Sequence, residues 1–157
     1  MIFVYISLIL SAALFTWGLL CFKYKRYKES FASTMADAKL PIIAVTHGTE
    51  MFYFVLDSGA SDNHITPMAA ARMEGNMQKI NYLAQGLGTS QLNQQIKCII
   101  KNLNGDKFNA TFLVNADLAK SLAQSPVRID GLIGNSFMRK YKLILDFENN
   151  QVIYPNR

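Results

Sequence analysis

The sequence predicts an all-β domain, a small closed or sandwiched barrel with brief helices, preceded by one N-terminal transmembrane helix. Three observations predict it. From Leu40 onward, short runs rich in β-branched and aromatic residues alternate with turn signals at roughly ten-residue intervals, the spacing of barrels and sandwiches. Helical text is confined to stretches of a turn or two. The run from Ile2 to Phe22 carries no charge and is dominated by Ile, Leu, Phe, Val and Ala, which matches the ~20 residues that cross a hydrocarbon core.

Residues 1–22 are read as an uncleaved anchor. No Lys or Arg precedes the apolar run and no small-residue cleavage site closes it, which argues against a signal peptide. Trp17, Tyr24 and Tyr27 suit an interfacial aromatic belt. The basic cluster Lys23, Lys25, Arg26 and Lys28 follows at once. An excess of Lys and Arg marks the cytoplasmic flank, so the protein is expected to be single-pass with its domain in the cytoplasm. The same cluster is expected to touch anionic membrane lipid.

Charge excludes one class of partner. The net charge is +5, but from Leu40 onward eleven Lys and Arg against nine Asp and Glu leave only +2, which is no nucleic-acid footprint. The two cysteines, Cys21 and Cys98, fall one in the apolar run and one in the domain, so no disulfide staple is expected. No histidine or cysteine cluster has metal spacing, so no metal site and no cofactor are expected.

Residues 23–39 are read as basic flank and linker. Glu29 to Lys39 is polar and small, without apolar periodicity, and is expected to act as a linker or a frayed helical stalk that lifts the domain off the membrane. The domain then spans 40–157. Leu40–Thr46 and Met51–Leu56 form a hairpin across His47-Gly48-Thr49-Glu50, with His47 a turn residue. Phe52, Phe54, Val55 and Leu56 run directly into Asp57, as in a strand buried on both faces that ends in a carboxylate. Asn63–Thr66 adds a short strand, and Thr66-Pro67 caps and opens a helix through Met73.

Met77–Ala84 is moderately apolar and leads to Gly86-Leu87-Gly88, a hairpin tip whose glycines keep it flexible. Gln95–Lys101 and Lys107–Val114 pair across Asn104-Gly105, a strong hairpin signal. A short helix is expected over Ala116–Ala123. Leu132-Ile133-Gly134 precedes a helical turn over Asn135–Lys140, and strands over Lys142–Phe147 and Gln151–Tyr154 close the chain.

An aspartate at the mouth of a buried strand needs a partner or a task, because burying an unpaired carboxylate is costly. The bland alternative is a turn aspartate that bonds the backbone two residues on. His64, seven residues after Asp57, is a base only in principle: Ser58 and Ser61 lack a Gly-x-Ser-x-Gly elbow, so His64 is read as structural.

Asp57-Ser58-Gly59-Ala60, Gly86-Leu87-Gly88 and Leu132-Ile133-Gly134, in this order, resemble the retropepsin-like aspartic proteases. The resemblance covers about Leu40 to Tyr154. It implies a closed barrel in which Asp57, Ser58 and Gly59 form the catalytic turn, and Ala60 with Gly86, Leu87 and Gly88 contacts an extended peptide. Leu132, Ile133 and Gly134 would pack beneath the turn. Asn135-Ser136 departs from relatives that carry a charged residue there. Because the chain holds a single Asp-Ser-Gly, the resemblance implies a homodimer, each subunit giving one aspartate to a site that hydrolyses a peptide or protein substrate. Pairing within one membrane would raise the effective concentration of the two copies. The alternative is a non-catalytic barrel of the same fold that binds peptide or protein without cleaving it.

Overall fold

Alternation along the strands builds a core from one face of a sheet that closes on itself. The computed structural model of the chain describes residues 26–73, 76–83 and 90–155. Ten strands and four short helices are described: β1 (Tyr27–Ser30), α1 (Ala32–Asp37), β2 (Ile42–His47), β3 (Glu50–Asp57), β4 (Asn63–Ile65), α2 (Pro67–Arg72), β5 (Asn76–Leu83), β6 (Ser90–Lys101), β7 (Lys107–Val114), α3 (Ala116–Leu122), β8 (Gly131–Gly134), α4 (Asn135–Lys140), β9 (Ile144–Asp146) and β10 (Gln151–Tyr154). The expected all-β class with brief helices is what the structure has. Six strands form a barrel in the order β2-β3-β8-β4-β7-β6, closed where Thr46 of β2 pairs with Lys101 of β6. Strand β5 extends the sheet outward from β6, and β1-β10-β9 form a separate three-stranded sheet.

Local chemistry accounts for the boundaries. The Thr66 side chain accepts the Ala69 amide and Pro67 takes the first turn of α2, where a missing N–H costs nothing. Asn115 caps α3 by accepting from the amides of Asp117 and Leu118. Gly105 turns the β6–β7 hairpin at φ +87°, a conformation suited to glycine. The barrel is filled by Phe52, Phe54, Ile65, Ile96, Ile100, Phe112 and Ile133, with Phe54 stacked on Phe112 at 4.8 Å between ring centroids.

Two expectations need correcting. Strand β3 is not buried on both faces: Phe52, Phe54 and Leu56 are buried, whereas Tyr53, Val55 and Asp57 are half-buried on the other face. Apolar residues on a partly exposed face produced the continuous run. The stretch expected as a linker also belongs to the folded domain in part. Strand β1 pairs with β10 from Tyr27↔Tyr154 to Ser30↔Gln151, so Tyr27 lies in a sheet. Phe31 is 0% exposed and its amide bonds the Asn150 carbonyl at 2.8 Å. Thr34 of α1 donates to the Leu40 carbonyl and accepts the Ile42 amide. One phenylalanine in polar text has no period to betray it, yet it fills a core position.

The apolar run over 1–22, expected as a membrane helix, lies outside the described residues, as do Lys23 and Lys25. Among the described residues no helix is long and apolar enough to cross a membrane.

Candidate active site

The Asp57 turn is assembled from three directions. Strand β3 delivers Asp57 at its C-terminal end, in parallel register with Gly134 at the end of β8. Beyond it the chain reverses: the Ala60 amide bonds the Asp57 carbonyl at 3.3 Å, and the Gly59 amide donates to Asp57 Oδ1 at 2.8 Å. That second bond is the backbone contact of an Asx-type turn, and it fixes the carboxylate in one orientation. The other oxygen, Oδ2, makes no hydrogen bond among the described residues. Asp57 is half-buried, and Ser58 and Gly59 lie exposed at the turn.

Helix α4 holds the far limb of the turn. The amides of Asn135 and Ser136 donate to the carbonyls of Ala60 (2.8 Å) and Ser61 (3.1 Å). Ala60 is thereby tied at both ends. Gly134 could carry no side chain here, because a Cβ would meet the Asp62 backbone and the Ala60 carbonyl oxygen inside contact distance. The same holds for Gly131, whose Cβ would strike the His64 carbonyl. These glycines allow β8, β4 and the turn to approach closely. At Gly59 a Cβ would stand 3.2 Å from Asp57 Oδ1, a tighter fit than usual against the carboxylate itself.

Asn63 joins the pieces. Its buried side chain accepts the Gly134 amide at 2.9 Å and donates to the Thr111 carbonyl at 2.9 Å, linking the turn, β8 and β7. At the opposite end of β8, Asp130 is 5% exposed and accepts from Arg72, from Arg128 at 3.1 Å and from the Tyr53 amide at 3.0 Å. Two guanidinium groups and a backbone donor compensate the buried charge, which anchors the residue that enters β8. Arg72 also lies over the Phe52 ring, at 5.0 Å from its centroid.

On the outer face of the barrel, Val55 and Leu132 are cross-strand partners, and Leu132 is partner to His64. All three are half-buried. By alternation they share a face with Asp57, giving an apolar strip that leads to the carboxylate. Leu132 therefore lines this strip, while Ile133, fully buried, packs beneath the turn. Burial lowers the His64 pKa, opposed by the carboxylates of Asp62 and Asp57, and its buried Nδ1 has no hydrogen-bond partner among the described residues. Past Asp62 a cavity of about 250 Å³ opens, lined by Asp62, Gln95, Asn109, Thr111, Ser136 and Lys140 among others.

The structure thus brings together Asp57, Ser58, Gly59, Ala60, Ile133 and Gly134 in one constellation, with Leu132 beside it. Gly86, Leu87 and Gly88 lie outside the described residues. Asn63 is a part of the site that sequence reasoning missed, and Asp130 is a missed support at the opposite end of β8. Their partners are distant in sequence, and only the unusual chance of a polar residue beside strand text could have signalled them. Among the described residues no His, Cys, Asp and Glu group could hold a metal ion.

The chain matches no family model and no curated protein.

Proposed function

We propose that this protein is a membrane-anchored aspartic endopeptidase of retropepsin type, active as a homodimer with one Asp57 from each subunit. The observation that carries the reading is the Asp57 turn: a carboxylate held at a strand end by Gly59, seated against Gly134, and bordered by a half-exposed apolar strip. A structural aspartate needs neither a free second oxygen nor an apolar approach.

Two such carboxylates brought side by side cannot both ionise easily, so the pair holds one proton. The ionised member takes a proton from a water molecule, and that water attacks the scissile carbonyl carbon. The protonated member hydrogen-bonds the carbonyl oxygen and stabilises the charge that develops there. Proton delivery to the departing amine then completes cleavage. The Gly59 amide stays on Oδ1 throughout, leaving Oδ2 to face water and substrate. Val55 and Leu132 supply an apolar wall for an extended peptide, and Gly86 to Gly88 would close over it. No cofactor enters this chemistry.

Incubating the full chain in detergent with a random peptide library, beside Asp57→Asn, tests the proposal. Cleavage that the substitution abolishes supports it. A folded, dimeric wild type that binds peptides and cleaves none contradicts it in favour of a non-catalytic peptide-binding barrel.

A further inference from the structure

Folding of residues 27–37 into the domain shortens the tether to the apolar run. Only residues 23–26 lie between Phe22 and the start of β1 at Tyr27. Fully extended, four residues span ~14 Å, and the headgroup layer of one leaflet takes up roughly 5–8 Å of that. The start of β1 is thereby confined within about one sheet spacing of the headgroup surface. A domain held this closely keeps the surface around Tyr27 next to the bilayer.

That face is identified by what stands around Tyr27. Its ring meets Tyr154 at 5.5 Å between centroids, and Tyr154 in turn meets Phe108 of β7 at 5.7 Å. The hairpin turn that precedes Phe108 is close by. Burial, then Glu29, then Asp106 of that turn raise the Tyr27 pKa. The turn is braced from within: the Asn102 amide donates to the Asp106 carbonyl, the Gly105 amide donates to the Asn102 carbonyl, and the Asn102 side chain both donates to the Asp106 carboxylate and accepts the Asp106 amide, each at 2.9 Å. On this rigid tip Leu103 is 52% exposed.

Exposed cations outnumber the one carboxylate of the turn. Lys101 and Lys107 are exposed and directly opposed in the β6–β7 register. Arg26 and Lys28 are exposed on β1 and just before it. Asp106 is the carboxylate of the turn, and Asn102 and Asn104 both donate to its Oδ2. An anionic surface attracts the exposed cations around the tip, and an apolar tip between cations fits the boundary between headgroups and acyl chains.

We propose that the surface of the domain around the start of β1, with the Asn102–Asp106 turn beside it, lies directly on the anionic headgroups of the membrane, with Leu103 inserted among them. The barrel is then a body docked on the bilayer and not a domain raised on a stalk. The inference rests on reading residues 2–22 as a membrane span; it does not depend on peptide hydrolysis.

The test uses the full chain with Cys21 and Cys98 replaced by Ala and an environment-sensitive dye on Leu103→Cys, in vesicles of phosphatidylcholine and phosphatidylserine. Gln124→Cys, just after α3, serves as the comparison site. Blue-shifted emission at position 103, quenched by lipid-borne quencher and shielded from aqueous iodide, is expected, with position 124 remaining in water. Adding Lys101→Glu and Lys107→Glu should return the emission at 103 to its aqueous value. Iodide quenching at 103 equal to that at 124, in a chain that resists alkaline extraction, overturns the docking and leaves the anchor standing. Release of the chain by alkaline extraction overturns both. Shielding from iodide without quenching by lipid shows that a second copy covers the tip, and also overturns the proposal.

Discussion

Asp57 and Gly134 face each other as the last registered pair of the parallel strands β3 and β8. The carboxylate turns back onto Gly59, while the glycine lets the Ala60–Asp62 backbone pass directly over its Cα. The geometry of the candidate site therefore depends on a residue that does no chemistry.

Replacing Gly134 with Ala is expected to destabilise the protein by about 3 kcal/mol, the upper end of ordinary overpacking, because the colliding atoms are backbone and cannot rotate away. Gly59→Ala meets a side-chain oxygen instead. It should cost little stability and lose activity by displacing the carboxylate. Denaturant titration beside a peptidase assay separates the two outcomes.

Asn63 has one acceptor and one donor in use, to Gly134 and Thr111. Asn63→Asp keeps the first and turns the second into a carboxylate oxygen against a carbonyl. A loss of about 3 kcal/mol at neutral pH is expected, since the group is buried and charged. Part of that loss should be recovered at acid pH, where the protonated carboxyl donates to Thr111. Urea midpoints at both pH values measure it.

The history of individual residues shows what the sequence could reveal. Thr66-Pro67, Asn104-Gly105 and the Asp57 turn were legible because their signals are local: a cap, a hairpin dipeptide and a strand running into Asp-Ser-Gly. Glu29 and Phe31 were not. Glu29 reaches a partner 125 residues away in sequence, and Phe31 stands alone in polar text. The barrel's closure through β2 and β6 rests on a single registered pair, Thr46↔Lys101, which no period announces. Val55 shows the opposite failure, an apolar residue whose chemistry implied burial and whose register gives it a half-exposed face beside Asp57.

Glu29 makes a second test of that missed segment. Its buried carboxyl accepts from the Ala44 amide at 3.0 Å and the Tyr154 hydroxyl at 3.1 Å, and burial raises its pKa above the ordinary carboxylate value against both bonds. A raised carboxyl favours the folded state below its unfolded pKa, and that contribution is lost as pH rises through the folded value. Glu29→Gln keeps an acceptor for Ala44 and removes the charge, so it should match or exceed the wild type at pH 8. Glu29→Leu leaves both donors unpaired and should cost roughly 2–4 kcal/mol at the same pH. Thermal or urea unfolding distinguishes them.

His64 gives a pH dependence of the opposite sense. Burial holds its pKa below the ordinary 6.5, so the folded state binds the proton more weakly than the unfolded chain. The contribution to stability is present above pH 6.5 and is lost as pH falls through the lower folded value. His64→Leu, which also removes the buried Nδ1, should flatten the stability profile between about pH 7 and pH 5 relative to the wild type. Equal slopes for the two proteins would remove His64 from the explanation.

The central claim, two Asp57 side chains in one site, is tested most directly by mixing. Wild-type chain is co-reconstituted with increasing Asp57→Asn chain at constant total protein, and peptide cleavage per wild-type chain is measured. A site shared between subunits predicts that this specific activity falls in proportion to the wild-type fraction, because mixed pairs hold one carboxylate. Specific activity that stays constant on dilution with the variant would mean that each chain cleaves by itself, and would contradict the shared site.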